Sequence, residues 1–158
     1  MSSFYSLLIG GFLSSVGGIL AILLNSRSEQ KKEIEYIKIS LEDEISEFQT
    51  TIRNMLETTK TSQYIPKKYL DELSANMEFF YNHRTKLFLI NNKETRRQIR
   101  MFYKHLKEAI ELTLISDSMD NTNKAVDKSV NTFNKILTDA TSLEATLNQI
   151  NFKILYFI

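Results

Sequence analysis

Hydrophobic residues follow two different patterns along this chain. From Ser3 to Leu24 they form a nearly continuous run that contains no charged side chain, whereas from Ser28 onward they recur every three or four residues. About 20 apolar residues, at ~1.5 Å per residue in a helix, span the ~30 Å hydrocarbon core of a bilayer. The first segment is therefore predicted to be a single transmembrane helix. The second pattern is typical of amphipathic helices.

Small residues occupy one side of the predicted transmembrane helix. At ~100° per residue they fall within an arc of about 160°, and large apolar residues fill the opposite side. The small residues are Gly10, Gly11, Ser14, Ser15, Gly17, Gly18 and Ala21. Small residues four positions apart let helix backbones approach closely in a membrane. The alternative is that glycine is simply commoner in spanning helices, but the one-sided distribution favours a self-association face.

Flanking charges predict the orientation of this segment. No Lys or Arg precedes it, while Arg27, Lys31 and Lys32 follow it closely. Basic flanks stay on the cytoplasmic side, so we expect the amino terminus outside and the rest of the chain in the cytoplasm, at a bacterial-type inner (plasma) membrane. A cleaved signal peptide is disfavoured because the run is too long and lacks a preceding basic region.

The remainder of the chain is predicted to be all-α. It contains one proline and no glycine after Gly18, whereas the turns of β-rich domains draw on both. We expect the transmembrane helix to continue into an antiparallel helical bundle or coiled-coil domain of three to four helices. The predicted organisation is a transmembrane anchor at 1–25, a juxtamembrane stalk helix at 26–60 and a cytoplasmic helical bundle at 61–158.

Local signals mark the predicted helix boundaries. The polar stretch Thr58–Gln63 is predicted to be a loop, and Pro66 suits the first turn of a second helix that ends near Asn92. Asn92 is a candidate N-cap for a third helix over 93–116. The cluster Ser116–Ser118 is predicted to form the turn before the last helix.

Two regular apolar seams are predicted to seek partner helices. One runs along the first cytoplasmic helix from Ile34 through Phe48 to Met55, and the other along the last helix from Val126 to Ile154. The apolar end of the chain, 152–158, is expected to pack on the domain, on the membrane surface or on another chain.

A basic stripe at helical spacing is the first candidate contact surface. Its residues are Arg96, Arg97, Arg100, Lys104 and Lys107. Such a stripe can bind a protein partner, anionic lipid or nucleic-acid phosphates. The favoured interpretation is that it complements the acidic first cytoplasmic helix within the chain; a protein or lipid contact is second, and nucleic acid is the least favoured partner.

A second candidate contact is the aromatic run Phe79, Phe80 and Tyr81. Consecutive apolar residues cannot all face one side of a helix, so some must be exposed or covered by another chain. Burial between several helices is the alternative, and it is slightly favoured.

Catalytic and cofactor chemistry finds little support in the sequence. There is no cysteine, and no glycine-rich phosphate loop can form after Gly18. His105 lacks the converging ligands that a metal site needs, and His83 lies on another predicted helix. We therefore expect no enzyme, no cofactor and no metal site.

These features together predict a non-enzymatic single-pass membrane protein. It would self-associate through its transmembrane helix and use its helical domain to hold a cytoplasmic protein partner at the inner membrane. The alternative function is a membrane-perturbing or pore-forming effector, toxin-like or part of antiviral defence, triggered through the cytoplasmic domain. The expected partners are membrane lipid, further copies of the chain and a cytoplasmic protein.

Overall fold

The protein is all-α throughout the part that the structure describes. The computed structural model describes the backbone of residues 2–119 and 123–149, and the side-chain surroundings of residues 17–115 and 124–149. The helices are α1 (Ser2–Ser62), α2 (Lys67–Asn76), α3 (Glu78–His83), a 3₁₀ helix (Arg84–Leu89), α4 (Lys93–Met119) and α5 (Asn123–Asn148). The helices α1, α2, α4 and α5 pack as a bundle, which confirms the predicted helical-bundle class.

Packing divides the chain into two compact units, Met1–Tyr36 and Ile37–Ile158. The first unit, where described, is the amino-terminal part of α1 alone. The second unit contains the bundle, and its core begins at Ile37, which is 1% exposed. Residues 37–60 of the segment predicted as a stalk therefore contribute to the bundle core.

The two predicted apolar seams form the centre of that core. Helix α1 contributes Ile37, Leu41, Ile45, Phe48, Ile52, Met55 and Leu56. Helix α5 contributes Phe133, Ile136, Ala140, Leu143 and Leu147. Burying a large apolar side chain stabilises a fold by about 1.5–3 kcal/mol. Both seams thus find their partner helices within one chain.

Helices α4 and α5 are antiparallel. The Thr113 hydroxyl donates to the Ser129 hydroxyl at 3.2 Å. At the other end of the pair, His105 Nδ1 lies 4.0 Å from the Asp139 carboxylate. Residues earlier in α4 therefore meet residues later in α5.

Helix α1 runs antiparallel to α4 and parallel to α5. The Tyr103 hydroxyl of α4 donates to the Glu44 carboxylate of α1 at 2.5 Å. Further along α1, the Gln49 amide donates to the Glu144 carboxylate of α5 at 2.8 Å. Glu144 lies beyond Asp139 in α5, so it is level with residues that precede Tyr103 in α4. Moving forward along α1 from Glu44 to Gln49 therefore means moving backward along α4 and forward along α5.

The stretch 58–62 is helical, so the prediction of a loop there was wrong for those residues. The Thr58 hydroxyl donates to the Asn54 carbonyl at 2.8 Å and the Thr59 hydroxyl to the Met55 carbonyl at 2.8 Å. These bonds to the preceding turn satisfy the hydroxyls without leaving the helix. The helix ends one residue later, where Gln63 adopts a left-handed φ of 61°.

The second predicted helix is divided into α2, α3 and the 3₁₀ helix. The 3₁₀ segment has three residues per turn, which places residues three apart on one face. Leu87 and Ile90 are three apart and both buried, at 1% and 3% exposure. Ile90 directly follows the 3₁₀ helix, and its backbone N–H donates to the Leu87 carbonyl at 3.0 Å, so the three-residue spacing reaches Ile90.

Helix α4 begins as predicted and ends later than predicted. The Asn92 side-chain oxygen accepts the backbone N–H of Glu94 at 2.9 Å and of Thr95 at 3.3 Å, which confirms the N-cap. The residues Ser116–Ser118 are helical, since α4 extends to Met119. The turn predicted at those residues was therefore wrong. The extended helix keeps Ser and Asp near its end, where their weak helix preference costs little.

Candidate interaction surfaces

The described part of the predicted transmembrane helix exposes its apolar side chains. Five residues are between 50% and 69% exposed: Ile19, Leu20, Ile22, Leu23 and Leu24. A Cβ atom at Gly17 or Gly18 would meet nothing within 4 Å, and Ala21 is also exposed. The other predicted packing residues, Gly10, Gly11, Ser14 and Ser15, lie outside the residues whose side chains are described.

Across residues 17–115 and 124–149, no helix combines the length and apolar character needed to cross a bilayer.

Arg96 of the basic stripe has a role inside the fold. Its Nη1 donates to the carbonyl of Ile90 at 2.7 Å and to that of Phe88 at 3.3 Å. These carbonyls lie at the end of the 3₁₀ helix, where the backbone has no helical partner for them. The guanidinium thus fastens the 3₁₀ segment to the start of α4.

The other basic residues of the stripe lie on the exposed side of α4. Lys104 pairs with Glu108 at 3.7 Å and Lys107 with Glu111 at 3.6 Å, and all four side chains are more than half exposed. Such exposed pairs contribute little stability. Arg97 and Arg100 are exposed, and within the described residues neither forms an ion pair. The sequence predicts that this stripe pairs with the acidic residues of α1. Among the described residues, no ion pair joins the stripe to α1.

The aromatic run is divided among three environments. Phe80 is 8% exposed, and its ring stacks on Tyr103 with centroids 3.8 Å apart and planes 5° apart. Phe79 is half-buried and stacks on His83 at 4.1 Å. Tyr81 is 38% exposed. Phe80 is thus a core residue, and Tyr81 is the member most available for a partner.

A buried carboxyl that the sequence pattern did not reveal lies beside this stack. Glu44 belongs to the helix that the sequence predicts to be acidic on its surface, but its side chain is 5% exposed. One oxygen accepts the Tyr103 hydroxyl at 2.5 Å, and the other, Oε1, has no hydrogen-bond partner. The signal was in its spacing, since Glu44 lies three residues after Leu41 and four before Phe48, on the buried stripe.

Burial gives Glu44 unusual acid–base behaviour. Removal from water raises its pKa from 4.5 to about 7. The Tyr103 hydrogen bond opposes this rise, as does the nearby backbone N–H of Phe80, while the charge of Glu47 adds to it. The pKa of the Tyr103 phenol is raised well above its ordinary value by its own burial and by Glu44, so Tyr103 remains a neutral donor.

The two histidines do not converge. The His83 ring nitrogen Nδ1 lies 3.0 Å from the Phe79 carbonyl, and His105 faces Asp139 across the α4–α5 interface. In the part of the chain that is described, no group of three His, Cys, Asp or Glu side chains is placed to hold a metal ion.

Comparison with protein-family models, with curated proteins and with solved structures finds no match to this chain.

Proposed function

We propose that this protein is a non-enzymatic, single-pass membrane protein that self-associates through residues 3–24. Its helical bundle would hold a protein partner at the cytoplasmic face of a bacterial-type inner membrane. The observation that carries the proposal is the exposure of the apolar side chains at 19–24. A contiguous apolar surface of this kind marks a site that lipid or another chain covers.

The glycines support self-association rather than simple anchoring. A helix with open space above Gly17 and Gly18 lets a second helix come close enough for backbone-to-backbone packing. Ala21 lies one turn beyond Gly17 and extends the same face.

The bundle offers a partner both charge and apolar area. Arg97 and Arg100 are exposed cations on α4. Tyr81 and Phe88 are 38% and 67% exposed. Aromatic and arginine side chains are enriched among residues that dominate protein–protein binding. This composition favours an acidic protein surface as the partner.

Fractionation of the full chain tests the anchor. We expect the protein to remain in the membrane pellet after extraction at alkaline pH, and protease added to intact spheroplasts to leave the bundle uncut. Release into the supernatant would overturn the anchor, and digestion in intact spheroplasts would overturn the orientation.

Size measurement in mild detergent tests self-association. The substitutions Gly17→Leu and Gly18→Leu should lower the oligomer mass measured by light scattering, because they keep the segment apolar and block close approach. The matched control is Leu20→Ile with Leu23→Ile, which should leave the mass unchanged. An unaltered mass in the glycine variant would contradict the packing face.

A membrane-potential assay separates the adaptor from the pore-forming effector. An adaptor leaves the potential of expressing cells unchanged and co-purifies with a cytoplasmic protein in fixed stoichiometry, which Tyr81→Ala with Phe88→Ala should release. Depolarisation that the glycine variant abolishes would instead support the effector.

A further inference from the structure

Two outward faces of the bundle carry opposite, uncompensated charge. On α1, Asp43 and Glu47 are exposed, and on α4, Arg97 and Arg100 are exposed. Within the described residues, none of these four side chains forms an ion pair. We call the first the acidic face of α1 and the second the basic face of α4. Lys104, which pairs with Glu108 of its own helix, lies one turn beyond Arg100 on the basic face.

The two faces lie at the same level along the bundle axis. The hydrogen bond from Tyr103 to Glu44 brings these residues to one level. Because α1 and α4 are antiparallel, each step back along α1 matches a step forward along α4. Asp43 is therefore level with Lys104, and Glu47 is level with Arg100.

Exposed apolar residues lie beyond each charged face, toward the same end of the bundle. Toward the start of α1, Ile39 is 50% exposed. Toward the end of α4, Leu112 and Ile115 are 61% and 52% exposed. On α4 about two turns separate the basic residues from the apolar ones. The two glutamates in between, Glu108 and Glu111, pair with lysines of α4 itself.

We infer that the acidic face of α1 in one copy docks on the basic face of α4 in a second copy. The inference rests on the proposed function, in which copies of the chain lie side by side at one membrane. Where two bundles lie side by side, parallel and at the same level, Asp43 of one copy faces Lys104 of the other and Glu47 faces Arg100.

Like-to-like contacts are disfavoured. A contact of α1 with α1, or of α4 with α4, would bring equal charges together, which costs free energy. The contact therefore joins two different faces, and where each copy uses its two faces on two different neighbours, repetition builds rings or open chains. The charges set the orientation and the register of the contact.

Disulfide cross-linking in membranes tests this interface cleanly, because the natural chain has no cysteine. Two full-length copies with different tags are co-expressed, one with Asp43→Cys and the other with Lys104→Cys, and oxidised mildly. We expect a covalent dimer that carries both tags. Copies that both carry Asp43→Cys, or both carry Lys104→Cys, should not cross-link. The matched control pairs Asp43→Cys with Lys67→Cys, an exposed lysine on α2.

Charge reversal provides a second, independent measurement. Glu47→Arg alone and Arg100→Glu alone should each weaken the oligomer in detergent by at least tenfold in dissociation constant. The double variant should recover it, because the pair is restored with reversed sign.

The outcomes separate the interface from the proposed function. A monomeric full chain would overturn self-association and the interface together. An oligomer that gives no mixed cross-link and does not respond to charge reversal would overturn the interface alone. Equal cross-linking of two Asp43→Cys copies would show a like-to-like contact and would also overturn it.

Discussion

The buried carboxyl of Glu44 makes bundle stability depend on pH. With one oxygen bonded to Tyr103 and the other unpaired, the neutral acid fits this site better than the carboxylate. The folded protein therefore holds a proton on Glu44 between pH 4.5 and about 7, where the unfolded chain has released it. Since the folded state binds more protons in this window, the free energy of unfolding falls as pH rises through it.

The size of this effect follows from the two pKa values. The interval from 4.5 to about 7, at about 1.4 kcal/mol per pH unit, corresponds to about 3 kcal/mol. This stability is fully present below pH 4.5 and fully lost above pH 7. Glu44→Gln removes the titrating group and leaves an oxygen that can still accept the Tyr103 hydrogen bond.

Chemical denaturation of the full chain in non-ionic detergent, followed by circular dichroism from pH 4.5 to 8, measures the effect. We expect wild type to lose about 3 kcal/mol relative to Glu44→Gln across this range, so the variant is the more stable of the two at pH 8. The difference between the two curves removes the contribution of every group that the two proteins share. Glu57→Gln, at an exposed position of the same helix, should follow wild type. Parallel curves for wild type and Glu44→Gln would refute the reasoning.

Two further substitutions test how α4 is held at its start. Asn92→Ala removes the acceptor of two backbone N–H groups and should cost about 1 kcal/mol in thermal unfolding, whereas Asn91→Ala should cost nothing measurable; equal melting curves for both variants would contradict the cap. Arg96→Met keeps the aliphatic stem but loses two charge-assisted hydrogen bonds, so amide hydrogen exchange over 84–90 should become faster, by about 2 kcal/mol in opening free energy. Arg97→Met is the control, and equal protection in both variants would contradict a fastening role for Arg96.

The candidate surfaces were only partly predictable from the sequence. Helical spacing placed the basic stripe on one side of a helix, but it gave Arg96 and Arg97 equivalent roles. The structure separates them, because the Arg96 guanidinium donates to the carbonyl of Ile90, directly after a 3₁₀ helix that the pattern did not predict. The same holds for the aromatic run, where contact with Tyr103 takes Phe80 out of the available surface.

Local periodicity by itself determined the all-α class, the buried stripe of α1 and the N-cap at Asn92. These features depend on residues within a few turns of one another, so they can be predicted from the sequence alone. The level at which α1 meets α4, the winding of 84–89 and the burial of Glu44 depend on contacts between residues far apart in the chain. Only the tertiary structure decided them, because a carboxyl on a buried stripe changes its chemistry only when a neighbouring helix closes over it.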